Sequence, residues 1–370
     1  MELSSSDGSQ TTSCLLLLTL FVIIFSFLVP VTLKRLSILP QPNDRFRIRH
    51  KKLGLEPSQT NLKSQFSPEH QPTSGKPVAL QSLWIYPVKS CQGIDLASSR
   101  VLSYGLEFDR LYTFAQLKSV PTRLDSQDHG NGQHKWEFIT QRQYPLLGSV
   151  EVELWRPETT ESETQGDGYI LFRFPWRDPG LKGVLSWVTA KLTGGWKKQP
   201  KKEVILPVVF PSDEEIKMKG YTYENCNIWK DTVTALNMER DLPPELALYL
   251  GVRNRLALFR IDPDRLREVH RCAPTKDVAG YQPVTGFQDA VRLIPRLECL
   301  WLTRMQYPLH LMNINSVQDL ASKIKMDNNL PCLDIQRFRA NIISEFVPAL
   351  QCSAPFRLTP DACSYGRGCV

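Results

Sequence analysis

From Ser82 to about Pro207 the apolar positions come in short runs: "LQSLWIYPV", "SRVLSY", "RLYTFAQL", "WEFIT", "GSVEVELW" and "GYILFRF". The last two alternate apolar and polar residues, the period of a strand with one face in a core. Polar loops such as "DSQDHGNGQH" and "PETTESETQGDG" separate the runs. The pattern predicts a mostly antiparallel β domain over residues 78–210, interrupted by one helix at "LKGVLSWVTAKL", where apolar residues fall three or four apart.

A second region, 211–348, opens near "ENCNIWKD". Its helix at "LPPELALYLGV" has proline in the first turn and glycine at the end, and another at "NSVQDLASKI" takes Asn315 or Ser316 as its cap. "RFRANIIS" reads as a strand, which would place Arg339 and Asn341 on one face. The fold class is therefore mixed and mainly β. Two stretches do not fit: "VRLIPRLECLWLTRMQ", residues 291–306, has mixed periodicity, and the tail 349–370 has little.

The ends carry their own pattern. After a short N-terminal tail, 1–14, the stretch from Leu15 to Leu33 holds no charge and as a helix would extend roughly 28 Å, enough to cross a membrane once. Residues 34–77, rich in Pro, Ser, Gln and charge, read as a tether. Seven cations between Lys34 and Lys52 face Asp44 alone, so the C-terminal flank of the apolar stretch should lie in the cytoplasm. The same cluster accounts for most of the formal net charge of +7, and the remainder is too nearly neutral to track a phosphate backbone. Nucleic acid is set aside. Nine cysteines without any CxxC pair argue against a zinc site and a disulfide framework.

"IYPVKSC" places Lys89 and Ser90 after a strand and Pro87, where a turn would expose both. An ammonium, a hydroxyl and nearby amides suit a phosphate, although a solvated lysine is the plainer reading. Arg110 begins the next strand, with Asp109 as an ordinary partner, and Arg339 stands among apolar neighbours where an unpaired charge is expensive. With Asn341 these residues make a candidate cradle for an anion and a heterocycle.

The ordered series "LWIYPVKSCQGIDL", "VLSYGLEFDRLYTF", "FITQRQYPLL" and "RFRANI" resembles the successive motifs of MOSC-domain proteins with an N-terminal MOSC β-barrel domain, in particular the mitochondrial amidoxime-reducing component and its fungal relatives. The likeness runs from about Pro77 to Pro348. It implies an N-terminal MOSC β-barrel followed by an incomplete MOSC β-barrel, and a molybdenum cofactor, a pyranopterin carrying a phosphate. By motif, Lys89, Ser90, Arg110, Arg339 and Asn341 would bind it, with Thr140 and Arg142 at the same cleft. Family members reduce N-hydroxylated compounds such as amidoximes with electrons from cytochrome b5 and its reductase, and a mitochondrial outer membrane anchor with a cytosolic domain is implied.

Two departures qualify this. The family's molybdenum is held by a cysteine thiolate in an "RC" motif downstream of the fourth motif, and "LQCSAPFRLTPDACSYGRGCV" offers no counterpart, so this form is expected to lack the metal ligand. Residues 291–306 part "GFQDA" from "YPLHLMN", which family members join directly. Two alternatives stay open: a non-catalytic protein of the same fold holding a phosphorylated ligand such as pyridoxal phosphate, or a partner, through the cradle, and a sulfur-carrying MOSC protein.

Overall fold

A computed structural model gives the fold; it describes residues 18–24, 50–67, 79–102, 104–119, 134–157, 168–228, 231–268, 284–285, 309–327 and 331–345. Strands dominate: β1 (His50–Leu53), β2 (Ala79–Ile85), β3 (Ile94–Leu96), β4 (Val101–Leu102), β5 (Gly105–Leu106), β6 (Tyr112–Ser119), β7 (His134–Phe138), β8 (Glu151–Pro157) and β9 (Tyr169–Pro175), then β10 (Lys201–Pro207), β11 (Thr222–Ile228), β12 (Asp231–Asn237), β13 (Leu256–Arg260), β14 (Arg267–Glu268), β15 (Val284–Thr285), β16 (Leu311–Asn313) and β17 (Ile342–Glu345). The helices among them are α1 (Gly180–Gly194), α2 (Asp213–Lys219), α3 (Pro244–Leu250) and α4 (Ile314–Lys323).

The mainly β expectation holds, and the pairing joins strands from both sides of residue 210. β1, β8, β9 and β10 make one antiparallel sheet. β6, β7, β11, β12 and β13 close into a barrel in which β7 and β11 run parallel. β16, β17, β2 and β3 form a third sheet, with β17 antiparallel to β2. The boundary expected between 210 and 211 therefore cuts a hydrogen-bonded barrel, and residues 79–85 pair with residues 342–345 from the far end of the described chain. Alternation reports which face of a strand is buried but not which strand lies beside it.

The tether expected over 34–77 is partly built into the fold. His50 to Leu53 pair with Pro157 to Leu154 at the edge of the first sheet. Leu62 is buried in a cluster with Ile335 and Ile343, while Gln65 donates to the Leu333 carbonyl at 3.0 Å and accepts from the Ile335 amide at 3.0 Å. Too few apolar residues occur in this span to show a period, so its role rests on individual side chains.

Local signals decide the helix ends. α3 opens on Pro244 and closes on Gly251 in the left-handed region, as its sequence predicts. α2, which the periodicity does not reveal, has a capping box between Ser212 and Glu215. α4 is capped by Asn313, accepting from the Asn315 amide at 3.2 Å, ahead of the expected cap at Asn315 or Ser316. The strand expected over 337–344 is corrected: Asp334 caps a 3-10 turn over Ile335–Phe338, Arg339 ends it, and extended structure begins at Ile342.

Among the described residues no helix is long and apolar enough to cross a membrane. Of the apolar segment 15–33 the structure describes 18–24, helical and exposed. Residues 291–306, the tail 349–370 and the rest of the tether lie outside the described residues.

Candidate functional site

The end of β2, the loop before β6 and the turn before β17 meet at one place, because β17 pairs with β2 and Tyr86 hydrogen-bonds the loop. The Trp84 amide donates to the Asn341 carbonyl at 2.7 Å, and the Arg110 amide donates to the Tyr86 carbonyl at 2.8 Å. The expected residues Arg110, Arg339 and Asn341 are thereby brought together across 231 positions of sequence, with Arg110 Nη1 donating to Asn341 Oδ1 at 3.2 Å.

Each side chain is fixed from behind. Asp109 Oδ1 accepts from the Tyr86 amide at 2.8 Å, and Asp109 Oδ2 takes an ion pair from Arg110. Both side chains are withdrawn from solvent, and the Asp109 partnership raised from sequence is real. Asn341, fully buried, donates to the Trp84 carbonyl at 3.1 Å and accepts from the His310 amide at 3.2 Å.

Tyr86, within the first motif, is the shelf. Arg339 lies 4.1 Å and Arg110 5.4 Å from the Tyr86 ring centroid, two cations on one π system. Burial pushes the Tyr86 hydroxyl up to about 12, so the ring stays neutral. Burial also holds the Arg339 guanidinium below its ordinary value, with Arg110 acting in the same direction. Gly93 permits the shelf, since a Cβ there would fall 2.5 Å from the Tyr86 ring.

Lys89 and Ser90 follow on the turn leaving Tyr86, and both are buried. Lys89 Nζ lies 5.1 Å above the Phe138 ring at the end of β7. Thr140, two residues past Phe138, is buried too, and its carbonyl accepts from the Gln143 and Tyr144 amides at 3.0 and 2.9 Å. Arg142 is exposed in that turn, apart from the buried set.

Four non-glycine residues among those described have positive φ: Ser90 at 69°, Phe108 at 65°, Arg110 at 52° and Arg339 at 55°. Three belong to this set. The left-handed region costs an L-residue about 1–2 kcal/mol, and such strain persists where surrounding bonds over-determine it. Here they do: the amide of Arg110 is held by Tyr86, and that of Arg339 by the Gln336 carbonyl at 3.0 Å.

Of the three described cysteines, Cys91 and Cys226 are ordinary core and Cys332 is exposed. Cys91 is fully buried and burial pushes its thiol up to about 12; Cys226, on β11, reaches about 12 for the same reason, with Lys89 pulling the other way. Among the described residues no group of three His, Cys, Asp or Glu is placed to hold a metal ion. The residues that sequence reading missed are Tyr86, Phe138 and His310, whose apolar or isolated settings give no signal along the chain. What the arrangement can do is receive an anion beside an aromatic face.

No curated protein matches the chain. Residues 78–191, the span that carries Tyr86, Lys89, Ser90, Arg110 and Thr140, match the MOSC N-terminal beta barrel domain.

Proposed function

We infer that this cluster of side chains, the cleft the resemblance implies, holds the phosphate-bearing end of a molybdenum-type pterin cofactor. The observation that carries this is the gathering of Arg110 and Arg339 on the Tyr86 ring, with Lys89 three residues along the same turn. A guanidinium fork and a lysine point charge suit a phosphate, and aromatic faces suit a heterocycle. MOSC domains are associated with binding of the molybdenum cofactor, which supports naming the pterin.

The donor set fits one end of that cofactor. Lys89, Ser90, Arg110, Arg339 and, through its hold on Arg110, Asn341 suit the anionic group. For the metal, a soft thiolate is wanted, and Cys91 and Cys226 are buried thiols that stay protonated. The residues are therefore assigned to retention and orientation of the pterin, and no step at the metal is derived from them. When bound, the cofactor supplies two-electron redox chemistry.

Within this reading the chain is a membrane-anchored oxidoreductase for N-hydroxylated compounds of the amidoxime type, taking electrons from cytochrome b5 and its reductase. The uncharged stretch 15–33 supports the anchor and its basic flank the cytosolic side; the resemblance implies the mitochondrial outer membrane, while hydropathy alone suits the endoplasmic reticulum equally. A second reading keeps the cleft and drops the reaction: a non-catalytic protein that retains a phosphorylated ligand. Burial of Cys91 and Cys226, which raises both thiols, supports it.

Expression in a molybdenum-replete host, followed by pterin and molybdenum analysis and an amidoxime assay with cytochrome b5, tests both. Pterin with turnover supports the enzyme; pterin without metal or turnover supports the second reading. Absence of pterin from folded protein contradicts the assignment of the cleft.

A further inference from the structure

Helix α1 turns its apolar stripe away from the protein. At about 100° per residue, Leu181, Val184, Leu185, Val188 and Leu192 share one face, and Leu181 is 88%, Leu185 49% and Leu192 60% exposed. The inward residues are small: Gly183 and Ala190 are buried, and a Cβ on Gly183 would lie 1.6 Å from the Asp178 carbonyl oxygen. A helix of a water-soluble surface has the reverse arrangement, with its large apolar residues inward.

The rim of the stripe is aromatic and basic. Trp196 is 85% exposed, and Arg177 and Lys191 stand 5.9 and 5.7 Å from the Trp187 ring centroid. From Arg177 to Lys198 the chain carries five cations against Asp178 alone. An apolar face edged by tryptophan and lysine is the composition that settles into the headgroup layer of an anionic bilayer.

Chain length brings such a surface within reach. If residues 15–33 cross a membrane, those between Leu33 and β1 span at most about 55 Å when extended. β1 and β10 are the two edges of one four-stranded sheet, about 14 Å apart at about 4.8 Å per strand. α1 leads directly into β10.

We propose that α1, with Trp196, docks on the anionic bilayer that residues 15–33 cross, holding the globular part against the membrane at a second point. This rests on the anchor reading above. The neutral alternatives, a second copy of the chain or another protein on the same stripe, lack its charge complementarity.

Hydrogen exchange of the full chain in vesicles tests it. Phosphatidylcholine with roughly one-third phosphatidylserine is compared with phosphatidylcholine alone, reading the amides of 181–192. The proposal expects exchange slowed about tenfold in the anionic vesicles, reversal at high salt, and loss of protection in a Leu185→Glu, Leu192→Glu variant with unchanged melting. Equal exchange in the two vesicle types overturns it, as does protection that follows protein concentration rather than lipid. An alkaline carbonate wash separates the two readings: a chain that is washed off overturns the anchor, and a retained chain with unprotected α1 overturns the docking alone.

Discussion

Arg110 has three jobs, and two of them are structural. It caps Asp109, it donates to Asn341, and it leaves part of its fork toward Tyr86. Removing one member of a buried ion pair leaves the charge of the other uncompensated, at about 3–5 kcal/mol. Asp109→Ala also takes the acceptor from the Tyr86 amide. It is expected to lower unfolding stability by that amount, measured by urea denaturation, and a loss below about 1 kcal/mol would show that the pair is not closed in solution.

His310 makes a pH prediction at the same scale. Burial, with Arg110 beside it, holds its imidazole down to about 4 from an ordinary 6.5. Between those values the unfolded chain binds a proton that the folded chain does not, so stability rises with pH across that window and is lost as pH falls. The loss is on the order of 3 kcal/mol. Melting of the wild type is expected to steepen its decline below about pH 6.5, and His310→Gln to flatten it; parallel profiles would contradict the assignment. Neither His310 nor Tyr86 was legible in the sequence, because an isolated histidine and an aromatic in an apolar run are ordinary core residues. Arg110, Arg339 and Asn341 were legible, because charge and amide in an apolar setting demand partners.

Among elements, the turn at Ile335–Phe338 shows where periodicity misled. "RFRANIIS" has the composition of a strand, but Asp334, accepting from the Gln336 amide at 2.8 Å, caps a 3-10 turn there instead. That turn sets Arg339 in the left-handed region and lays it over Tyr86, which a continuous strand would not do. Gly93 holds the other side of the shelf. Gly93→Ala drives a methyl into Tyr86 and Trp84, both ring systems, and overpacking of this kind costs about 1–3 kcal/mol. The variant is expected to melt lower and to lose pterin together with its tyrosine shelf; full pterin content at a lowered melting temperature would separate the shelf from retention. α1 was read correctly as a helix, while the direction of its stripe was not in the sequence, since periodicity fixes a face without saying what covers it.

At the scale of the molecule, the barrel and the third sheet each join residues on both sides of the expected boundary. Long-range pairing is what assembles the cluster: Trp84 and Asn341 meet only because β2 and β17 are neighbours. The strands themselves were visible by alternation, and the partners were not. A candidate site built from segments this far apart has a consequence for folding, because its residues meet only when the third sheet is closed.

The central claim is that this cleft retains a pterin by its anionic end. It is tested most directly by the pterin content of purified wild-type protein, Arg339→Ala and Arg142→Ala, read by fluorescence after oxidative release. Arg339 shares the Tyr86 shelf, whereas Arg142 is exposed in its turn. The account predicts pterin in the wild type and in Arg142→Ala, and a loss of about tenfold or more in folded Arg339→Ala, the equivalent of one charge-assisted contact. Equal pterin in all three proteins would contradict it.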